Sequence, residues 1–579
     1  MAMGWRYLLR VLSPCLILLT ATLTETIRSR SAYAAEEIRL LVGGPLIFSV
    51  SVDSLEAFAQ TSEIANDLRL FTRFADEQAL IGLRQALQAS IPLSAQQIDN
   101  LGYSVLGQDI LFNLGKVIRP HPSLNGDRAL RGAIISAAAH ARTQSDTSKA
   151  DEPVEWTAID VMRQYPSQSI DVRWQDLRAL RQSASSALSD NQQAIATIRA
   201  QATTDSAQNG TSQPLLAQDL AALGSYAFET NTFTLTRDAI RQTQLGIQSR
   251  YSFDVDTYMP QELDHPAPVI IVSHGYSDTK ENFGYIGRHL ASHGFVVLIP
   301  EHVGSDLRFR LSYTEGRLNT GMNPTEYISR PQEISYLIDH LETLVATSST
   351  WATQIDLERI GMVGHSLGAA TAYALAGAEI DSDRLVASCE STSVNISPAL
   401  YLQCLARFLP AQENNLKDPR IKAVIAANGI GSALYGPEGF GEIDLPILIA
   451  SAANDVIAPA VPEQIWPFSW VESDSKYLAV MSDASHFSLT SGGDTGVVSP
   501  LTQPGAEALI NIVLGQYRDI GSRYLNALNL AFWQVYLQKD STYLPYLSDR
   551  YAQQLSADYI PSLNIVEASQ PEQLNTSNN

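Results

Sequence analysis

Basic residues are scarce in this 579-residue chain: 39 Lys and Arg stand against 61 Asp and Glu, a net charge of −22. A surface of that sign repels phosphate backbones, which argues against nucleic acid as a partner, and it gains little from an anionic membrane surface. Cysteine is scarcer still, with three in all, one of them (Cys15) within the first 34 residues. Beyond that start no apolar run is long enough to span a bilayer. Residues 36–205 hold no His/Cys cluster with metal-ligand spacing and no phosphate loop, and no metal or cofactor is expected. Against these absences stand 45% hydrophobic and 17% charged residues. That is the balance of a folded chain, long enough for two or more domains.

Residues 1–34 read as an export signal. Arg6 and Arg10 precede the apolar run Val11–Leu23, and Ala32, Tyr33 and Ala34 offer a small-x-small cleavage site. The polar insert TETIRSR before that site is longer than usual, so an uncleaved anchor is the alternative; that anchor, or a lid, would be the route to any membrane contact. Export implies an oxidising compartment, in which Cys389 and Cys404 would form a disulfide. Two buried free thiols are the other reading.

Residues 36–205 read as a mainly helical domain, with apolar residues at three- and four-residue steps in "SVDSLEAFAQTSEIANDLRLFTRF", "NGDRALRGAIISAAAHA" and "WQDLRALRQSASSALSDNQQAIATIRAQ". "EIRLLVGGPLIFSVSV" is its one strand-like piece. Residues 206–240 are a linker and first strands, opening on a polar, Gly/Ser/Thr-rich stretch. From 241 to 568 short apolar runs alternate with helical stretches: "PVIIVSHG", "FVVLIPEH", "RIGMVGHS", "IKAVIAANG", "LPILIASAAND" and "KYLAVMSDASH" are the strands. Near-continuous apolar strands separated by helices predict a mostly parallel sheet covered on both faces, an α/β fold. Residues 569–579 are polar and read as a disordered tail.

One stretch carries chemistry. Gly364-x-Ser366-x-Gly368 is a weak pattern alone, but here a strand precedes it and a helix of small residues follows. That is the setting of a nucleophile elbow, whose glycines are there because the turn is tight. A serine hydroxyl needs a base to take its proton. In α/β-hydrolase order the acid and then the histidine follow the serine. Of 10 histidines only His486 lies beyond Ser366, just past the strand KYLAVM. Between them Asp455 ends the strand LPILIASAAN, on the side where such sites form, and is preferred over Asp444, Asp483, Asp381, Asp383, Asp418 and Asp474. The oxyanion would be held by the backbone N–H of Leu367 and of Tyr276, the latter in "SHGYSD". The Tyr276 ring walls the acyl pocket or simply packs. His365 is expected to pack under the elbow and His274 to order its own loop; His302 lines the cleft or is structural.

"VIIVSHGYSDTKENFGYIGRHLASHGFVVLIPEHVGSD", "GMVGHSLGAATA" and "SHFSL" resemble α/β-hydrolases of the dienelactone hydrolase and platelet-activating-factor acetylhydrolase group, over about residues 240–530. "GPLIFSVSVDSLEAFAQT", "LGKVIRP" and "NGDRALRGAII" resemble the uncharacterised N-terminal domain found on exported cyanobacterial members of that group. The resemblance implies ester hydrolysis without a metal. In acetylhydrolases of the group the acid can follow the strand before the one chosen here; that place holds Asn428, whose amide carries no negative charge, so Asp455 stays the candidate.

The expected activity is a serine carboxylester hydrolase acting on a small-molecule or lipid-like ester. An acyltransferase with the same triad is the alternative, and a non-catalytic binding protein on a hydrolase fold is the third reading. Nothing in the sequence names a partner for residues 36–205. Gly304–Pro331 is too long for an ordinary connection and reads as a lid, the Cys389–Cys404 segment as a cap. Trp466, Phe468 and Trp470 either line an apolar site or pack the core.

Overall fold

The computed structural model of the chain describes residues 34–178 apart from short breaks, 193–200, and 218–567 apart from 391–396, 410–414, 491–516 and 560. The export-signal reading (1–34) therefore falls almost wholly, and the polar tail (569–579) wholly, outside the described residues. The chain divides into two compact units, one of residues 1–98 and 114–177, the other of residues 99–113 and 178–579. Among the described residues no helix is long and apolar enough to cross a membrane.

Beside its helices the first unit carries more strand than its sequence pattern predicts. It holds a four-stranded sheet built from β1 (Glu37–Gly43), β2 (Leu46–Ser51), β3 (Ile118–Arg119) and β4 (Ser169–Arg173), in the order β2-β1-β4-β3. The single strand-like stretch is in fact the β1–β2 hairpin, paired antiparallel. β4 escapes a reading by periodicity because it is five residues long with an acid, Asp171, at its centre. That carboxylate is fully buried and is satisfied from the neighbouring strand, where Arg39 grips it with Nε–Oδ1 at 2.7 Å and Nη2–Oδ2 at 2.9 Å. Ser51 caps the helix Val52–Thr61, accepting from Ser54 N, and that helix buries Val52, Leu55, Phe58 and Ala59.

The second unit is a nine-stranded sheet. Its strands are β5 (Phe228–Arg237), β8 (Tyr251–Pro260), β9 (Ala267–Ser273), β10 (Val296–Pro300), β11 (Ile355–His365), β12 (Ile421–Ala427), β13 (Ile447–Ala452), β14 (Lys476–Met481) and β15 (Leu563–Glu567). The order is β15-β14-β13-β12-β11-β9-β10-β8-β5. The six central strands run parallel, and β8, β5 and β15 close the two edges antiparallel. A small excursion, β6 (Arg241–Thr243) with β7 (Gly246–Gln248), lies between β5 and β8. β9 explains the unbroken apolar runs. Its Val269 and Ile271 belong to the core on one face, Ile270 and Val272 to the core on the other. The helices Glu326–Thr347 and Leu367–Ala376 fill the first core, Gly284–Ser292 and Arg518–Tyr536 the second. This is the α/β-hydrolase fold. Parallel pairing brings the carboxyl ends of β9, β11, β12, β13 and β14 to one edge, with Gly364 level with Ser273 on one side and Ala426 on the other.

Candidate active site

Ser366 follows β11 directly and precedes the helix Leu367–Ala376. Its backbone sits at φ 55°, ψ −117°, a conformation that costs a non-glycine residue about 1–3 kcal/mol. The turn is held from β12, where Ala427 O accepts from Ser366 N at 2.9 Å. Both flanking glycines are obligatory. A Cβ on Gly364 would stand 2.1 Å from Gly368 O, and one on Gly368 2.0 Å from Ser273 O. Backbone, not a movable side chain, forbids them.

The Asp455 carboxylate is divided between two tasks. Oδ1 accepts from Ile457 N and Ala458 N, both at 2.8 Å, while Oδ2 meets His486 Nδ1 at 2.7 Å. The carboxylate fixes the Nδ1–H tautomer and leaves Nε2 as the basic nitrogen. The rival acids are placed elsewhere. Asp483, Asp383 and Asp474 are exposed, Asp444 pairs with Lys417, Asp418 with Arg420, and Asp381 caps a helix.

His486 is steadied from behind by two groups. Its carbonyl accepts from Asn428 Nδ2 at 2.7 Å and from His365 Nε2 at 3.0 Å. Asn428, at the place where the resembling acetylhydrolases carry an acid, also accepts from Ala452 N at 2.8 Å and so ties β13 to the histidine. His365 is neutral, its pKa pulled down to about 3 first by burial and then by the neighbouring His486. Its Nδ1 has no hydrogen-bond partner among the described residues.

Gly275 and Tyr276 follow β9. A Cβ on Gly275 would stand 3.3 Å from Ser366 Cβ, so this loop passes directly beside the serine. Leu367 is the first residue of its helix, where a backbone N–H has no carbonyl a turn earlier to meet. Among the described residues the Tyr276 N–H likewise meets no acceptor. The Tyr276 hydroxyl donates to Gly321 O at 2.7 Å, fastening the loop to the Gly304–Pro331 insertion. That insertion carries the helix Leu307–Thr314, whose Phe309 and Tyr313 are buried with Leu318.

His302 does not line a cleft. It is fully buried, with Nε2 2.9 Å from Ser273 Oγ and Nδ1 2.7 Å from Glu333 Oε2. His274 is equally buried; Nε2 accepts from His302 N at 2.9 Å, which leaves the ring proton on Nδ1, 2.8 Å from Gly275 O. Glu333 and Glu326 also pair with Arg241, at 3.1 and 2.7 Å, and Ser305 Oγ donates to Glu326. Burial raises the pKa of both glutamates. This buried charge cluster is the main feature that reading the sequence for site residues misses. Its one local signal is Glu326, Arg330 and Glu333 at i, i+4 and i+7, on one face of a helix.

Cys389 and Cys404 are joined by a disulfide, Cα atoms 5.7 Å apart. On the chain-entropy model a closure of this length stabilises by about 3 kcal/mol. Of the aromatic trio, Phe468 is buried and Trp470 packs on Phe440 and the Arg384 guanidinium, which favours core packing; Trp466 alone is exposed.

Two family descriptions match parts of the chain. Residues 34–173, outside the nine-stranded sheet, match "Alpha/beta hydrolase of unknown function (DUF1400)". Residues 257–399 match "Chlorophyllase", a stretch that takes in β9, the Gly275–Tyr276 loop and the Ser366 turn and ends before Asp455 and His486. Similar curated proteins include cutinase est1 of Thermobifida alba, 27% identical over 124 residues (21% of this chain, 35% of the relative). Cutinase of Thermobifida fusca (strain YX) is 27% identical over 124 residues (21% and 34%). Chlorophyllase-1, chloroplastic, of Citrus sinensis is 24% identical over 170 residues (26% and 47%). The chain thus spans between a third and a half of the length of the curated relatives it matches. Sheet order, the Ser366 turn and these similarities converge on one conclusion: the second unit has the fold of the α/β hydrolases.

Proposed function

We propose that the protein is a serine carboxylester hydrolase that works through an acyl-enzyme on Ser366. The observation that carries this reading is the Ser366 turn, strained at φ 55°, standing on the same sheet edge as a His486–Asp455 pair joined at 2.7 Å. His486 Nε2 takes the Ser366 proton as Oγ attacks the ester carbonyl. The N–H groups of Leu367 and Tyr276 hold the tetrahedral oxyanion, and Asp455 stabilises the imidazolium. The imidazolium then protonates the departing alcohol, and water activated by the same histidine releases the acid. The similar proteins named cutinase and chlorophyllase support an ester substrate.

In this reading the enzyme belongs with the dienelactone hydrolase and acetylhydrolase group and is exported, the Cys389–Cys404 disulfide favouring an oxidising compartment. Residues 36–205 act as a separate domain preceding the catalytic one. Labelling with a fluorophosphonate probe tests the nucleophile: the label is expected on Ser366 of the folded chain, and an unlabelled Ser366 overturns the reading. Release of p-nitrophenol from short-chain esters is expected to be independent of added alcohol. Faster release with an alcohol acceptor and formation of a new ester would make the protein an acyltransferase instead.

A further inference from the structure

Arg330 is a fully buried arginine whose two terminal nitrogens face main chain rather than a carboxylate. Nη1 donates to His274 O at 2.6 Å and Nη2 to Gly275 O at 3.2 Å. Nε donates to Ser305 Oγ at 2.9 Å, and the nearest carboxylate oxygen, on Glu326, is 3.7 Å from Nε. Burying a guanidinium carries a large desolvation penalty, and an apolar side chain would fill the same space at lower cost. What an apolar side chain cannot do is grip two consecutive carbonyls in a fixed planar fork.

The grip has a consequence on the opposite side of the peptide. A trans peptide is planar, with its C=O and N–H pointing in opposite directions. Gly275 O belongs to the same peptide as Tyr276 N–H. It is held by two donors, Arg330 Nη2 and His274 Nδ1, so the N–H is turned away from Arg330 with no freedom to rotate. On its serine side that loop lies against Ser366. The guanidinium charge behind the carbonyl also polarises the amide and strengthens its N–H as a donor.

We infer that Arg330 is the positioning residue of the oxyanion hole: it fixes, through the Gly275–Tyr276 peptide, the direction of the Tyr276 N–H toward the oxygen of the tetrahedral intermediate. The inference rests on the ester-hydrolase reading above. The guanidinium stays charged at neutral pH, burial lowering its pKa only to about 10.

The test measures kcat and KM for a p-nitrophenyl ester and the affinity for a trifluoromethyl ketone of matched acyl chain, which forms an oxyanion on binding. Two variants are compared with the unmodified chain. Arg330→Lys keeps the charge and loses the fork. Arg330→Gln combined with Glu326→Gln removes one buried charge of each sign and keeps a donor for one carbonyl. Folding of each is checked by circular dichroism and thermal melting. The double variant is expected to lose about 100-fold in kcat, and Arg330→Lys about tenfold, with KM nearly unchanged and ketone affinity falling in step. A folded variant that keeps both kcat and ketone affinity, or one that raises only KM, overturns the inference while leaving the ester-hydrolase reading intact. An unmodified chain that cleaves no ester and takes no label on Ser366 overturns the ester-hydrolase reading, and this inference with it.

Discussion

The same sheet edge carries two serine–histidine–carboxylate sets. One is Ser366 with His486 and Asp455; the other is Ser273, hydrogen-bonded to His302, hydrogen-bonded in turn to Glu333. By residue type they are interchangeable, and the second is even linked from end to end. They differ in three physical respects. Ser273 lies within the strand β9 at 0% exposure, whereas Ser366 sits at φ 55° on a turn at a helix N-terminus and is 5% exposed. His302 is sealed at 0% exposure. Burial first, then Arg330, His274 and Arg241, push its pKa well below the usual histidine range and favour the neutral ring. Finally, Glu333 is shared with Arg241, while Asp455 spends its second oxygen on two backbone amides. A relay of three side chains is therefore not a catalyst by composition; the strained turn of Ser366, less deeply buried than Ser273, and a carboxylate not shared with an arginine are what separate the two sets.

The largest separation is expected from the serines. Ser366→Ala should lower kcat by about a million-fold, and Ser273→Ala by less than about tenfold, in one p-nitrophenyl ester assay. Equal losses would abolish the distinction. Next, Asp455→Asn should reduce kcat by about 10⁴-fold, while Asp483→Asn leaves it within about twofold. The opposite ranking would move the acid to Asp483. The carboxylate of the buried set should answer in stability instead. Glu333→Gln takes one partner from Arg241 and His302, and urea unfolding is expected to show a loss of about 3–5 kcal/mol.

The smallest effect concerns His365. Its folded-state pKa of about 3 lies below that of the unfolded chain, near 6.5, so below about pH 6 the unfolded state binds a proton that the folded state does not. Stability falls as pH falls through that window. His365→Gln can keep a donor to His486 O and removes the proton, so its stability should decline less steeply, by about 1.4 kcal/mol per pH unit between pH 6 and 4. Parallel stability–pH curves for the two proteins would show that His365 is not held neutral.

Much of the second unit was legible because its signals are local or ordinal. The central strands announce themselves as apolar runs, the Ser366 turn by its two glycines, and His486 by being alone downstream. Asp455 stood out by lying at a strand end, and it meets His486 at 2.7 Å. The parts that stayed hidden depend on distance in sequence. Arg241 pairs with Glu326 and Glu333 some 90 residues away, and each alone reads as a solvated charge. Asn428 looked like a vacant acid position, and its two side-chain hydrogen bonds, to β13 and to His486, appear only once β12 lies beside β13. In the first unit, β4 was lost because a buried acid interrupts its apolar pattern.

The helix Leu367–Ala376 is buried along all ten of its residues. A helix without a solvent face has no free direction in which to drift, and its first turn is locked to β9 and β11 by glycines that admit no Cβ. The Ser366 turn cannot be re-aimed by small substitutions without dismantling the sheet around it. In the ester-hydrolase reading, new acyl specificity would be written in the insertion between Asp306 and Thr325, ahead of the helix that carries Arg330 and its grip on the Gly275–Tyr276 loop. An engineer seeking a different ester should vary that insertion and leave both the ten-residue helix and Arg330 alone.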